Sequence, residues 1–151
     1  MNDYIFVLGR DFQLSILEIA SYFTARNTQC KIKFFNRNIA LVSLPYLDFS
    51  SVIKNLGGTV KIAKAINSID EIKIPNMDKI KYSITNFGSS KIGDLKPELK
   101  KIFKNQGIKA FFKKPDKEIG MPPSDFFRHS MFKEGFELIL YNDLIFETIA
   151  V

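Results

Sequence analysis

Between the short apolar run Tyr4–Leu8, ended by Gly9, and the β-branched stretch Thr59–Ile66, the apolar period switches repeatedly between that of a strand and that of a helix. Phe12, Ile16, Ile19, Ala20 and Phe23 fall at i, i+4, i+7, i+8 and i+11, a stripe that a helix gathers on one face, and Leu14 and Leu17 widen it. Asp11 is placed to cap that helix, with Ser15, Glu18 and Ser21 on its wet side. Lys31–Phe35 and Ile39–Leu44 read as strands joined by a turn at Asn36-Arg37-Asn38. Asp48 caps a short helix from Phe49 to Leu56, and Gly57-Gly58 stops it through glycine's tolerance of the left-handed conformation. The order β-α-β-β-α-β is that of a split β-α-β unit.

That order is the ferredoxin-like pattern, and it predicts a first lobe over residues 1–70. Residues 67–78 form a polar connection in which Pro75 marks the boundary, and a second lobe covers residues 76–151. There Ile80–Phe87 reads as a strand, and Asp94 caps a helix running to about Asn105, with Pro97 in its first turn and Gly107 just past its end. Leu95, Leu99, Ile102 and Phe103 supply that helix's apolar face. Ile108–Phe112 is a strand, Pro115–Pro123 a loop, and Ser124 caps a short helix to about Lys133. Phe136–Tyr141 and Leu144–Val151 form a hairpin around Asn142-Asp143. The fold class is α+β.

A chain of 151 residues buries roughly 68–70% of its unfolded surface and needs no metal or disulfide staple. Hydrophobic residues make up 46% and charged residues 25%, which excludes bulk disorder, and the longest apolar runs are too short for a membrane-spanning helix. Asp3, with no basic segment before an apolar stretch, argues against a signal peptide, and the single Cys30 agrees with a reducing compartment. The expected location is the cytoplasm.

The net charge is +6, yet between Lys100 and Lys114 there are six lysines and no acid. Lys96, Lys100 and Lys104 recur at i, i+4 and i+8 on the helix, with Lys101 beside them and Lys109, Lys113 and Lys114 on and after the next strand. Like charges at i,i+4 destabilise a helix by roughly 0.2–0.5 kcal/mol per pair. Such a stripe is either a solvated face of a lysine-rich chain or a surface that tracks phosphates. Arg128, His129 and Lys133 follow the Pro122-Pro123 loop, where the free N–H groups of a helix starting at Ser124 would suit a phosphate. Phe126, Phe127 and Phe132 are residues for base stacking or for a core. The candidate nucleic-acid-binding set is Lys96, Lys100, Lys101, Lys104, Lys109, Lys113, Lys114, Arg128 and Lys133.

Enzymatic constellations are absent from the sequence. His129 is the only histidine, so no paired-imidazole or histidine-based metal site can be built, and Cys30 lies almost a hundred residues away without a nucleophile signature. Neither GxxxxGK[ST] nor GxGxxG occurs. Met121-Pro122-Pro123-Ser124 superficially resembles the Asp/Asn-Pro-Pro-aromatic loop of amino-methyltransferases but lacks its acid or amide and its aromatic. An acylphosphatase-like reading of Arg10 lacks that family's glycine-valine-glutamine-glycine phosphate loop.

Leu8-Gly9-Arg10, followed by Leu14-Ser15 and Glu18-Ile19, resembles the N-terminus of the archaeal-type tRNA guanosine-N2-methyltransferases, which modify position ten of tRNA. Leu56-Gly57-Gly58-Thr59-Val60-Lys61-Ile62 is similar to a strand-opening segment of the same family's N-terminal ferredoxin-like domain, and Phe146-Glu147-Thr148-Ile149-Ala150-Val151 to the strand closing its THUMP domain. The resemblance implies a ferredoxin-like lobe over 1–70 packed on a THUMP-like α/β lobe over 76–151. It implies a monomeric tRNA-binding module that positions tRNA for a catalytic methyltransferase domain in cis or in trans. S-adenosylmethionine would belong to that parent enzyme; no catalytic residue, cofactor or metal is expected in this chain. The alternative is a stand-alone ferredoxin-like ligand-binding or protein-interaction domain with no RNA role.

Overall fold

The computed structural model describes every residue except Lys73, Pro75 and Lys117, so the boundary expected at Pro75 lies outside the described residues. The protein is α+β; among the described residues there are five α-helices and eight strands, in one mixed open sheet of order β2-β3-β1-β4-β8-β7-β5-β6. By compactness it divides into two units, Met1–Ala65 with Thr148–Val151, and Ile66–Glu147. Each has its own core.

In the first unit, strands β1 (Asn2–Leu8), β2 (Lys31–Phe35), β3 (Ile39–Leu44) and β4 (Thr59–Ile66) alternate with helices α1 (Phe12–Thr24) and α2 (Phe49–Lys54) in the expected order. β1 runs antiparallel to both β3 and β4, with Tyr4 opposite Val42 and Lys64. Tyr4, Phe6, Leu8, Ile19, Phe23 and Ile62 are buried in one cluster on the helix side. Asp11 caps α1 by accepting the Leu14 N–H at 3.0 Å, and Asn36 Oδ1 closes the β2–β3 turn on the N–H groups of Asn38 and Ile39.

The faces of α1 differ from the sequence expectation. Leu14 and Leu17 are 63% and 64% exposed, whereas Ser15 is buried. Ser15 Oγ donates to the Gly58 carbonyl at 2.8 Å, so a small polar side chain is what lets this backbone approach the helix. A Cβ on Gly58 would lie 2.4 Å from Ser15 Oγ. Gly58 therefore serves a close approach, and neither Gly57 nor Gly58 has the positive φ that a left-handed helix stop would need.

The second unit contains β5 (Lys79–Asn86), α3 (Ile92–Asn105), β6 (Lys109–Phe112), α4 (Pro123–Arg128), α5 (Met131–Glu134), β7 (Gly135–Tyr141) and the first part of β8 (Leu144–Ala150). β5 is parallel to both β6 and β7, while β7 and β8 form the antiparallel hairpin expected around Asn142, which has φ +49°. Leu95, Leu99 and Phe103 of α3 pack on Ile80, Tyr82, Ile84, Phe136 and Leu138. Gly107 takes φ +67°, and the Ile108 and Gly107 N–H groups return to the carbonyls of Phe103 and Lys104, closing α3 in a Schellman motif.

Two helix starts are corrected. α3 begins at Ile92, because Asn86 Oδ1 and Ser89 Oγ take up the N–H groups of the preceding turn; Asp94 lies inside the first turn and Pro97 beyond it. The helix expected from Ser124 to Lys133 is two short helices. Pro122 occupies the first cap position without a side-chain bond, and Ser130 at φ +52° separates α4 from α5.

Candidate nucleic-acid interface

Side chains alternate across a strand, and that alternation divides the lysine field. On β5 and β6 the residues Ile80, Tyr82, Ala110 and Phe112 face α3, with Tyr82 and Phe112 rings 5.4 Å apart. Lys79, Lys81, Lys109 and Phe111 consequently belong to the opposite face, and the parallel register sets Lys79 beside Lys109 and Lys81 beside Phe111. Lys100, Lys101 and Lys104 ride on α3, exposed on the other side of the sheet. Lys96 is only half-exposed, its ammonium 4.0 Å from the Phe112 ring centroid in a cation–π contact.

The face away from α3 therefore carries a constellation of its own. Lys79 and Lys109 are exposed there and Lys113, just past β6, is half-buried; Lys114 is exposed beyond the end of the strand, and none of these four is in an ion pair among the described residues. Lys81, which the sequence set omitted, donates to Glu134 Oε2 at 3.1 Å and to the His129 carbonyl at 3.2 Å, tying β5 to the α4–α5 corner. The omitted signal was the alternation Lys79-Ile80-Lys81-Tyr82, which repeats the Lys109-Ala110-Phe111-Phe112 alternation of the adjacent strand.

The α4–α5 corner supplies the remaining groups. Arg128 and Lys133 are exposed, but the Arg128 guanidinium is 2.8 Å from Asp125, which offsets part of its charge. Phe126 is core, and Phe132 packs on it edge to face with centroids 4.6 Å apart, while Phe127 is 61% exposed. Partial burial holds the His129 imidazole below its ordinary value of 6.5, and the charges of Lys113, Arg128 and Lys81 lower it further against an opposing pull from Asp125. Cys30 lies in the first unit and His129 in the second. Burial raises the Cys30 thiol pKa, away from a nucleophilic thiolate.

His129 provides a pH signature. In the folded protein it binds its proton less readily than in the unfolded chain, so as pH falls below 6.5 it lowers stability. A polyanion on this face would favour the imidazolium, so binding should take up a proton and tighten as pH falls from about 7.5 to about 6. His129→Gln should flatten that dependence. Parallel curves for wild type and variant in anisotropy titrations would place the polyanion elsewhere.

Among the described residues no group of three or more His, Cys, Asp or Glu is arranged to hold a metal ion, and no helix is long and apolar enough to cross a membrane. No protein-family model matches the chain, nor does any curated protein. Among solved structures the chain is similar to the phospho-2-dehydro-3-deoxyheptonate aldolase (DAHP synthase) of Thermotoga maritima at 11% identity and a TM-score of 0.30, over 92% of this chain and 48% of that one. The chain spans about half the length of that protein, and a likeness at this level carries no argument about fold or activity.

Proposed function

We propose that this chain is an RNA-binding module that positions tRNA for a methyltransferase partner, with Met1–Ala65 acting as a ferredoxin-like lobe and the second unit as a THUMP-like lobe. The observation that supports the reading is the face of β5 and β6 on which the paired Lys79 and Lys109 stand next along the strands from an exposed Phe111, with Lys113 just past the strand end. Lysines unpaired with acids attract a phosphate backbone, and an exposed aromatic among them adds a stacking surface. In this reading the chain is a cytoplasmic monomer that performs no catalysis itself. S-adenosylmethionine and the target guanine belong to a catalytic domain in cis or in trans.

Anisotropy with full-length tRNA at several salt concentrations tests it. Neutralising about four phosphates predicts a slope of log K against log salt of roughly −3, using the single-strand coefficient. A flat salt dependence, or no binding at low salt, defeats the proposal. A second reading, a stand-alone ligand-binding or protein-interaction domain without an RNA role, is favoured by one feature of the first unit. There a cleft of about 560 Å³ is lined by Arg10, Leu14, Leu17, Glu18, Gly57 and Gly58. Its two leucines are exposed, and Glu18 accepts the Gly57 and Gly58 N–H groups at 2.7 Å each.

A further inference from the structure

On the lysine-bearing face of the second unit, Met77, Lys79, Lys81, Phe111 and Glu134 line a cavity of about 300 Å³. Phe111 is 47% exposed and Met77 38% exposed, so an aromatic ring and a flexible thioether line it together. Two lysines line the same cavity, one of them tied to Glu134. The ion pair occupies Oε2 of Glu134 and leaves Oε1 without a hydrogen-bond donor among the described residues. An apolar ring, cations for phosphates and one carboxylate acceptor are the complements of the three parts of a nucleotide: base face, backbone and base-edge donor.

We propose that this cavity takes one unpaired nucleotide of RNA, its base stacked on Phe111, its phosphates near Lys79 and Lys109, and an amino-bearing base edge donating to Glu134. The inference rests on the RNA-binding reading above and deepens it. A carboxylate only accepts hydrogen bonds, so adenine N6, cytosine N4 or the guanine N1–N2 edge suits it. Uracil offers a single N3–H flanked by two carbonyl oxygens, which the carboxylate repels. A base inside a duplex has its faces covered by neighbouring pairs, which restricts the site to unstacked positions.

The test uses the full chain and labelled six-nucleotide oligo(A), oligo(C) and oligo(U), with a twelve-pair RNA duplex alongside, read by anisotropy. Oligo(A) and oligo(C) should bind about fivefold more tightly than oligo(U), and the duplex more weakly than either. Phe111→Leu should weaken single-strand binding about 5- to 100-fold with the salt slope unchanged, while Phe111→Tyr should retain it. Glu134→Gln should erase the preference over oligo(U) while leaving the stacking contribution. Circular dichroism establishes that each variant is folded. If folded Phe111→Leu binds oligo(A) as the wild type does, or the duplex binds as well as the single strands, the pocket is overturned even where tRNA binding and its salt slope persist. Equal wild-type binding of all three oligomers overturns the role of Glu134. Absence of any RNA binding at low salt removes the RNA reading and the pocket together.

Discussion

Replacing Lys79, Lys109 and Lys113 together by glutamine is expected to weaken tRNA binding by about 100-fold at about 0.1 M salt and to flatten the salt slope from roughly −3 to roughly −1. Three lost phosphate contacts remove about 0.7 each from that slope, which accumulates to about two logarithmic units at that salt concentration. Stability should not suffer. Lys79 and Lys109 are register partners on neighbouring strands, so neutralising them relieves a like-charge pair. The comparison that locates the interface is the α3 triple variant Lys100→Gln, Lys101→Gln and Lys104→Gln, which alters the other side of the sheet. A smaller loss is expected there. If the α3 variant loses more affinity than the strand variant, the RNA lies along the helix; if neither changes affinity or slope, both faces are merely solvated.

Gly135→Ala should produce the largest loss of stability. Gly135 opens β7 opposite Lys81 of β5, and an added Cβ would stand 2.0 Å from the Lys81 carbonyl oxygen and 2.9 Å from its carbon. The obstacle is paired backbone, so relief requires opening the parallel ladder rather than turning a side chain. The expected cost is about 3 kcal/mol, at the upper end of overpacking, which lowers the transition of a unit the size of Ile66–Glu147 by about 12 °C or more. Because Lys81 holds Glu134 and the His129 carbonyl, the same substitution should disorganise the proposed nucleotide cavity. Gly93→Ala is the control: nothing lies within 4 Å of its added Cβ, so a helical alanine there should be neutral or slightly stabilising. Thermal melts followed by circular dichroism compare the two. Equal melting temperatures would show that β5 and β7 tolerate the intruding methyl group.

Local signals carried most of the elements because each depends on near neighbours. The bounds of β2, β3 and β4 match their apolar and β-branched runs, Asp11 caps α1, and Gly107 closes α3 at the expected place. The errors fall where a distant or competing partner intervenes. Asp94 lost the cap of α3 to a turn already bonded by Asn86 and Ser89. Ser15 and Glu18, both polar and assigned to the wet side, are drawn to the backbone at Gly57-Gly58, some forty residues away.

The sequence by itself determined the α+β alternation, the two helix-bearing halves and a lysine-rich second half, because spacing, caps and charge are all written within a few residues. Only the tertiary structure decided which lysines share a surface. Lys104 and Lys109 are five positions apart, yet one rides on α3 and the other faces away from it. Lys79 and Lys109 are thirty positions apart and stand side by side. A period of two states which residues of a strand point the same way; the side taken by the covering helix and the parallel register of β5 with β6 decide what they point at, and both are set by burial of Ile80, Tyr82, Leu99 and Phe103.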